Sequence, residues 1–599
     1  MAHRGLDGEG TWSDGAVGLG HRRLAIRGLG DVGKQPMLNK ESNVCVSYNG
    51  EIYNYHYLKE KLQKDKGCTF YSNCDTELLP HGWRAWGERL FDYLEGMYAI
   101  AIWDMATGTL VLARDGIGIK PLFYGISHDT LFFSSEIKGL LATGHFAKTA
   151  DAAQFLTYLS NGYTGPDKTL SKAMHQVPPG TYICFSNGKQ IKEKQFWRPQ
   201  RNPIISDMGD ALAGLSSLMQ DVCSDMLISD VPLGLLLSSG IDSSLIALTV
   251  NSPLTCYTAS FDQKVFDESA AAEVLAKTAG HHWISEPVAS GHSVVDDFYA
   301  IAHAVDGQLA DSSCLAHYAL SRSVRQKFKV ALAGDGADEF FGGYPTYKAS
   351  QMASLLAPCI PNKLLSGLGA LLGNLYPGDE GRLPWHSVLS RFLYGMTAPD
   401  TTYHAEWRRL CRLNDIQKIS TPYFSELLRT DPLSAYRQAF LQAEGRPEDK
   451  CLLADERYYL PADMIVKVDR MSMAHGLEIR VPFLDRRIMD YAGTLNHRLL
   501  FSRLGKGKKI LRKMATALKA PDSLVKAKKK GFNIPLSRLL RTDLKPVGDS
   551  LLHDNPDIFS PFLDADKLRH LWDAHINKKV NADYLLWSLL LYGAWQYKK

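Results

Sequence analysis

The sequence has 599 residues and no long hydrophobic run. Its longest apolar-rich stretch, 364–376, is 13 residues with glycines inside. A bilayer span takes about 20 apolar residues, so a core helix or a partner-facing helix is expected there. No C-x-x-C pair occurs; the ten cysteines, at 45, 68, 74, 184, 223, 256, 314, 359, 411 and 451, are scattered. That argues against a disulfide framework and a cysteine zinc site, and suits a reducing, cytoplasmic setting. No charge of one sign dominates: 68 basic against 64 acidic residues leave +4, too little to imply a nucleic-acid partner. The first residues are polar and glycine-rich, unlike a signal peptide. No internal repeat and no G-x-x-x-x-G-K-S/T phosphate loop is present.

What is there describes an ordinary globular chain, 45% hydrophobic and 22% charged, long enough for two or more domains. It is organised around Leu235-Leu236-Leu237-Ser238-Ser239-Gly240-Ile241-Asp242-Ser243-Ser244. An apolar run, 231–237, stops at a Ser/Gly turn, and a second apolar stretch, 245–248, follows. The pattern predicts a buried strand, a tight turn and a helix. Backbone N–H groups and hydroxyls at a helix N-terminus form an anion site suited to a phosphate chain. Asp242 would repel phosphate unless a divalent cation lay between them. The stretch therefore points to a nucleotide with Mg²⁺; an ordinary Ser-capped helix is the plain alternative.

From about Asp207, long helices alternate with short apolar strands, expected near 233–237, 255–260 and 330–333. This predicts a doubly wound parallel sheet, with ligands outside the carboxyl ends of its strands. The second strand ends in Ser260-Phe261-Asp262, with Asp267-Glu268 following. The third ends in Ala333-Gly334-Asp335-Gly336-Ala337-Asp338-Glu339-Phe340-Phe341-Gly342-Gly343-Tyr344. A polar turn could carry those residues. But Asp335, Asp338 and Glu339 would repel one another without a cation, and with Asp242 they offer the hard oxygen ligands Mg²⁺ prefers. The lysines of 526–530 read as a solvated loop rather than a nucleic-acid patch, given the modest net charge.

The first third reads differently. Strand-like runs at 17–19, 23–26, 44–48, 98–103, 110–113 and 131–134, with helices near 57–63 and 76–86, predict an antiparallel, sheet-rich α+β domain. The opening His3-Arg4-Gly5-Leu6-Asp7-Gly8-Glu9-Gly10 reads as a loop with its upstream strand missing. Asn49-Gly50, taken alone, is a hairpin-turn signal.

Several motifs carry a resemblance. Ser238 to Ser243 resembles the S-G-G-x-D-S pyrophosphate loop of the N-type ATP pyrophosphatases. Ser239 stands at a usual glycine, where its Cβ is tolerable only if φ stays negative. The 333–344 stretch resembles the S-G-D/E-G-x-D-E-x-F-G-G-Y motif of the asparagine synthetase B family, with Ala333 for serine. Tyr459-Leu460-Pro461, Lys467-Val468-Asp469-Arg470, Arg480-Val481-Pro482-Phe483-Leu484-Asp485 and Lys508-Lys509-Ile510-Leu511-Arg512 extend it. Gly20-His21-Arg22-Arg23, Tyr48-Asn49-Gly50-Glu51, Asp75-Thr76-Glu77 and Ala113-Arg114-Asp115-Gly116 resemble the glutaminase domain of class II glutamine amidotransferases.

The resemblance implies an α+β N-terminal-nucleophile-type glutaminase-like domain over 1–197, a linker over 198–206, and an α/β doubly wound ATP pyrophosphatase domain over 207–599. It implies Arg23 for the glutamine carboxylate, Asp75 and Glu51 for its amino group, and Asn49 with the Gly50 N–H as an oxyanion hole. Leu236, Ala259 and Gly334 would line adenosine. Ser238, Ser239, Gly240, Asp242, Ser243 and Ala333 would surround ATP and pyrophosphate, and Asp242 and Asp338 would hold Mg²⁺. Lys508 would face the adenylate transition state and Asp335 the acyl-adenylate and ammonia step. Arg470, Glu478 and Arg480 are expected as structural ion pairs.

The family's nucleophile is a first-residue cysteine whose own amine serves as base. Here the sequence opens Met1-Ala2, Leu6 replaces a usual proline, and Cys45, Cys68 and Cys74 are internal. Either the start differs or the glutaminase step is lost; as the sequence stands, ammonia is the expected donor. Aspartate to asparagine is the default reaction. The loop Asp306-Gly307-Gln308-Leu309-Ala310-Asp311-Ser312-Ser313 departs from the family's D-E-P, which admits a sugar uronic acid or peptide carboxylate as acceptor. A non-catalytic scaffold relative is the third reading. Small-molecule substrates, no nucleic acid and no membrane span are expected, with a homodimer left open.

Overall fold

The computed structural model describes residues 1–260, 269–287, 293–373, 385–502, 505–526 and 534–597. Asp262, Asp267, Glu268 and the lysines at 528–530 lie outside them, as does the side chain of Ala259.

The N-terminal part carries a six-stranded antiparallel sheet, ordered β11-β10-β6-β5-β4-β3. Its members are β3 (Met37–Asn39), β4 (Val44–Ile52), β5 (Gly96–Asp104), β6 (Thr109–Arg114), β10 (Thr181–Ser186) and β11 (Lys189–Gln195). Side chains alternate across such a sheet. Val44, Val46, Tyr48, Ile100 and Ile102 form a core with Leu58, Leu62, Leu78 and Leu79 of the helices Tyr55–Lys66 and Leu78–Trp86. Cys45, Ala99, Ala101, Trp103 and Leu112 form the core on the other side. β7 (Phe123–Ser127), β8 (Thr130–Ser134) and β9 (Met174–Gln176) make a small sheet, and β1 (Gly8–Ser13) pairs with β2 (Gly18–Arg23) as a hairpin.

Three local expectations are corrected here. The opening loop ends at Gly8, where β1 begins. Glycines hide that strand in the sequence, yet Gly10 is needed, because a Cβ there would lie 2.3 Å from the Gln35 carbonyl oxygen. The run at 23–26 is only the last residue of β2 followed by a turn. Asn49-Gly50 is no hairpin turn: it lies inside β4, opposite Ala99 and Tyr98. Glycine sits there because a Cβ would fall 2.1 Å from the Met97 carbonyl oxygen.

The C-terminal part holds a five-stranded parallel sheet ordered β14-β13-β12-β15-β16. The three expected strands are β12 (Leu233–Leu236), β13 (Thr255–Ser260) and β15 (Val330–Leu332). β14 (His282–Pro287) and β16 (Glu478–Arg480) are additional; β16 escaped because Glu-Ile-Arg carries no apolar run. Taken in chain order, the sheet runs 3-2-1-4-5, the doubly wound pattern. The direction of winding reverses between β12 and β15, and a crevice opens at such a switch point. The Ser238 loop follows β12 and the Asp335 loop follows β15, so both expected phosphate-site loops meet there. Among the described residues no helix is long and apolar enough to cross a membrane. The apolar stretch from 364 lies mostly in the helix Asn362–Gly373.

Candidate active sites

One cavity of about 750 Å³ is lined by Arg23, Asn49, Gly50, Glu51 and Asp75, so all five expected glutamine contacts share it. Arg23, at the end of β2, donates to the carbonyls of Gly28 (2.6 Å), Arg27 (3.0 Å) and Gly30 (2.7 Å), which fixes its guanidinium. Asp75 is buried and accepts from the Tyr48 hydroxyl at 2.8 Å and the Ile52 N–H at 3.0 Å. Asn49 Nδ2 is buried and has no hydrogen-bond partner among the described residues. Such a donor costs about 1–3 kcal/mol unless something satisfies it, as a ligand oxygen in the cavity would.

Glu51 is engaged from two directions. Its Oε1 accepts from Arg27 Nη1 at 2.9 Å, and its Oε2 lies 3.0 Å from Arg480 Nη2. Arg480 reaches it from β16 in the other half of the molecule, while also donating to Glu478 Oε1 (3.1 Å) and to the Met226 and Ile228 carbonyls (2.8 Å each). Arg470 pairs with Glu136 at 2.8 Å. The expected structural ion pairs exist, and two of them tie the halves together. Arg27 was missed by sequence reasoning, although its place four residues after Arg23 was a usable signal. The Glu51–Arg480 contact had no local signal at all. Cys74 also lines the cavity. Burial, reinforced by Asp75, raises its thiol above the ordinary range, which disfavours the reactive thiolate.

The second site lies at the switch point. Gly240 is the N-cap of the helix Ile241–Thr249, with φ −76°. Its N–H donates to Ser238 Oγ at 3.1 Å, and the Ser238 N–H donates to Ser243 Oγ at 3.1 Å. Ser239 keeps a negative φ, the condition its Cβ required. Gly334, in the loop after β15, packs directly on this turn: a Cβ there would lie 2.8 Å from Ser243 N and 2.9 Å from Asp242 Cβ. Ala333 is buried beside it and Leu236 is half-buried at the end of β12. Ala259 belongs to β13, the neighbouring strand.

Lys508 joins the two loops. Its Nζ donates to Asp242 Oδ1 at 2.7 Å and Oδ2 at 2.6 Å, and lies 2.5 Å from Asp338 Oδ1. Lys508 is buried and takes the left-handed conformation, φ 55°, a backbone strain typical of functional positions. Its N–H donates to the Phe341 carbonyl at 2.9 Å, which holds it there. Burial alone would lower its pKa, but the carboxylates of Asp242 and Asp338 outweigh that and hold the ammonium above the ordinary lysine range. Asp335 lines a slot of about 20 Å³ together with Leu460, Met464, Asp469 and Lys120.

Among the described residues no group of three His, Cys, Asp or Glu side chains converges as a self-sufficient metal site. Asp242 and Asp338, however, both reach a single cationic atom. That fits Mg²⁺, which typically takes one or two carboxylates and completes its shell with phosphate oxygens and water.

Residues 214–597 match the asparagine synthase family, and residues 1–197 match the glutamine amidotransferase domain. Asparagine synthetase (glutamine-hydrolyzing) 1 of Bacillus subtilis (strain 168) is 28% identical over 599 residues, covering 99% of this chain and 92% of that protein. Asparagine synthetase (glutamine-hydrolyzing) 3 of the same organism is 28% identical over 591 residues, 92% of this chain and 87% of its own. Amidase chry2 of Gibberella zeae is 25% identical over 540 residues, 83% of this chain and 77% of its own.

Proposed function

The chain belongs to the asparagine synthase family, and from that premise we propose that it amidates aspartate to asparagine at the expense of ATP, releasing AMP and pyrophosphate. The observation that carries this reading is Lys508, held between Asp242 and Asp338 where the Ser238 and Asp335 loops meet. The backbone N–H groups of the Ser238 turn bind the phosphate chain. A carboxylate oxygen of the acceptor attacks the α-phosphorus, the bond to pyrophosphate breaks, and Lys508 offsets the charge that develops. Ammonia then attacks the acyl carbon, and AMP leaves. Asp335 would take the proton that the attacking ammonia sheds. Asp242 and Asp338 would hold Mg²⁺ with the phosphate oxygens, and the bound ion would neutralise phosphate charge.

The first cavity serves glutamine: Arg23 for the carboxylate, Asp75 for the ammonium, and Asn49 Nδ2 with the Gly50 N–H for the oxyanion. The cavity also adjoins the second site. Met473 and Glu478 line the cavity, while their neighbours Ser472 and Ile479 line the slot that contains Asp335. We divide the chain accordingly into a glutaminase-like domain over 1–197, a linker over 198–206 and a synthetase domain over 207–599. All ten cysteines are free, in keeping with a reducing cytoplasm, and no nucleic-acid partner enters the reading.

The test is a product assay with ATP, Mg²⁺, aspartate and either ammonium or glutamine. Pyrophosphate and asparagine in equal amounts are expected with ammonium, and glutamate formation reports the first cavity separately. No aspartate-dependent pyrophosphate release with either nitrogen source would overturn the reading.

A further inference from the structure

A separate cavity, of about 240 Å³, opens where the two halves of the molecule and the segment between them meet. We propose that it binds a small oxyanion, a phosphate or a dicarboxylate, gripped between the guanidinium groups of Arg198 and Arg457. The site is distinct from the two described above and does not depend on the reaction proposed for them.

Three parts of the chain build it. Pro178 and Pro179 come from the N-terminal part, Arg198 and Pro199 from the start of the linker segment, and the rest from the helices Ser434–Leu441 and Asp455–Met464 of the C-terminal part. Arg457 lies on the second of these helices and is half-buried. Its Nε and Nη2 donate to the Pro199 carbonyl at 3.0 and 2.9 Å. Those two bonds pin its guanidinium to the residue that follows Arg198, so two cations line one cavity. Burial lowers the Arg457 pKa below its ordinary value, and the charge of Arg198 lowers it further against the pull of Glu456.

The protein does not supply the negative charge this pair calls for. Among the described residues neither Arg198 nor Arg457 makes an ion pair. The two carboxylates in the wall are engaged elsewhere: Glu456 pairs with Arg201, and Asp167 Oδ2 lies 3.2 Å from Lys168 Nζ. Guanidinium groups offer paired N–H donors that match two oxygens of a phosphate or carboxylate. Two such groups suit a dianion, and a phosphate monoester carries about −1.5 to −2 near pH 7. Gln438 and Gln442 also line the cavity, four residues apart and therefore on one face of their helix. Their amides can donate or accept. The cavity falls short of the roughly 300–1,000 Å³ of sites for drug-sized ligands, so the ligand is smaller than a nucleotide.

A bound dianion would hold the linker segment to the C-terminal part. The clamp adjoins the second site as well. Pro461 lines this cavity, while Leu460 and Met464 of the same helix line the slot that contains Asp335.

Titration calorimetry and thermal unfolding of the whole protein test the site. Inorganic phosphate and succinate are the probes, and sodium chloride at matched ionic strength is the baseline. At least one probe is expected to bind and to raise the melting temperature above that baseline, as a ligand of the folded state does. Which of them binds tells a phosphate ligand from a dicarboxylate. Arg198 is exposed, so Arg198→Gln should leave the fold intact, weaken binding by at least about 10-fold and remove the added stabilisation. Arg457→Gln should weaken binding equally. If it also lowers the melting temperature without ligand, through its lost hold on Pro199, Arg198→Gln carries the test. Binding of neither probe overturns the site. So does binding that both variants keep in full, which would place the anion elsewhere, such as at the Ser238 turn.

Discussion

Lys508 Nζ lies 2.6 Å from Asp242 Oδ2, although the two residues are 266 positions apart and open different helices. The same ammonium lies 2.5 Å from Asp338. On the adenylation proposed above, this buried cation, held by two carboxylates, would sit where phosphate charge changes. Its action is then on the transition state, where a preorganised cation has most effect. Lys508→Met should lower the turnover of pyrophosphate release by about 100-fold or more and change affinity for an ATP analogue much less. Single-turnover kinetics with calorimetry separates the two. An unchanged turnover with a raised nucleotide dissociation constant would make Lys508 a ground-state contact.

Asp242→Asn and Asp338→Asn should each abolish Mg²⁺-dependent pyrophosphate release. Each removes a formal charge while keeping shape, so the fold should persist. Circular dichroism checks the fold and a phosphate-coupled assay checks the activity. Full activity in both variants would remove the metal assignment.

Gly343 shows how the fold guards this pair without touching a ligand. A Cβ at that position would lie 1.6 Å from Asp338 Oδ1 and 2.4 Å from Lys508 Cε. Gly343→Ala must therefore displace one or both side chains. We expect loss of pyrophosphate release, with a stability cost of about 1–3 kcal/mol typical of overpacking. Gly367→Ala is the control. It lies in the helix Asn362–Gly373 with nothing near its missing Cβ, and should stabilise by about 0.5–1 kcal/mol without affecting activity. Retention of activity in Gly343→Ala would show that the Asp338–Lys508 contact is dispensable.

Asp455 is fully buried and accepts from the Tyr347 hydroxyl (2.6 Å) and Arg408 Nε (3.0 Å), with Tyr436 also donating and His404 Nε2 at 3.1 Å. Burial raises its pKa, but Arg408 and His404 outweigh that and hold the carboxyl well below its ordinary value of 3.8. The unfolded chain therefore binds the proton more readily than the folded one. The stabilisation is present above the unfolded value and is lost as pH falls below about 4. His404, lowered by burial from 6.5, works in the same direction, beginning at higher pH. Melting temperature should fall from pH 7 to pH 4. Asp455→Ala should cost about 3–5 kcal/mol at pH 7 and flatten that dependence. An equally steep fall in the variant would place the acid sensitivity elsewhere.

Much of this architecture was legible locally. The Ser238 and Ala333 stretches announced themselves by small residues and carboxylates at the ends of apolar runs, and the doubly wound sheet brought them together. What was hidden depends on contacts between distant residues or on very short elements. β16 has three residues, two of them charged, and is a strand through its parallel pairing with β15, where Arg480 and Glu478 satisfy each other. Asn49-Gly50 carries a turn signal that nine residues of pairing with β5 override. Glu51 was legible as a cavity residue, while its engagement by Arg480 required the two halves to be docked.

That engagement bears on which carboxylate would receive the ammonium of the glutamine proposed for the first cavity. Both Glu51 oxygens face guanidinium groups, Arg27 at 2.9 Å and Arg480 at 3.0 Å. Among the described residues, Asp75 accepts from the Tyr48 hydroxyl, the Ile52 N–H and the Cys74 thiol, all neutral donors. A ligand ammonium gains more from a carboxylate that no cation already contacts. Asp75→Asn should therefore weaken glutamine binding by about 10- to 100-fold, the range for a hydrogen bond to a charged group. Glu51→Gln should weaken it less. It should instead lower the melting temperature, because Arg480 and Arg27 lose a buried counter-ion. Titration with glutamine measures both variants without requiring cleavage, so the comparison is independent of the nucleophile. If Glu51→Gln abolishes binding while Asp75→Asn leaves it intact, Arg480 must release Glu51 when glutamine enters, and the roles of the two carboxylates are reversed.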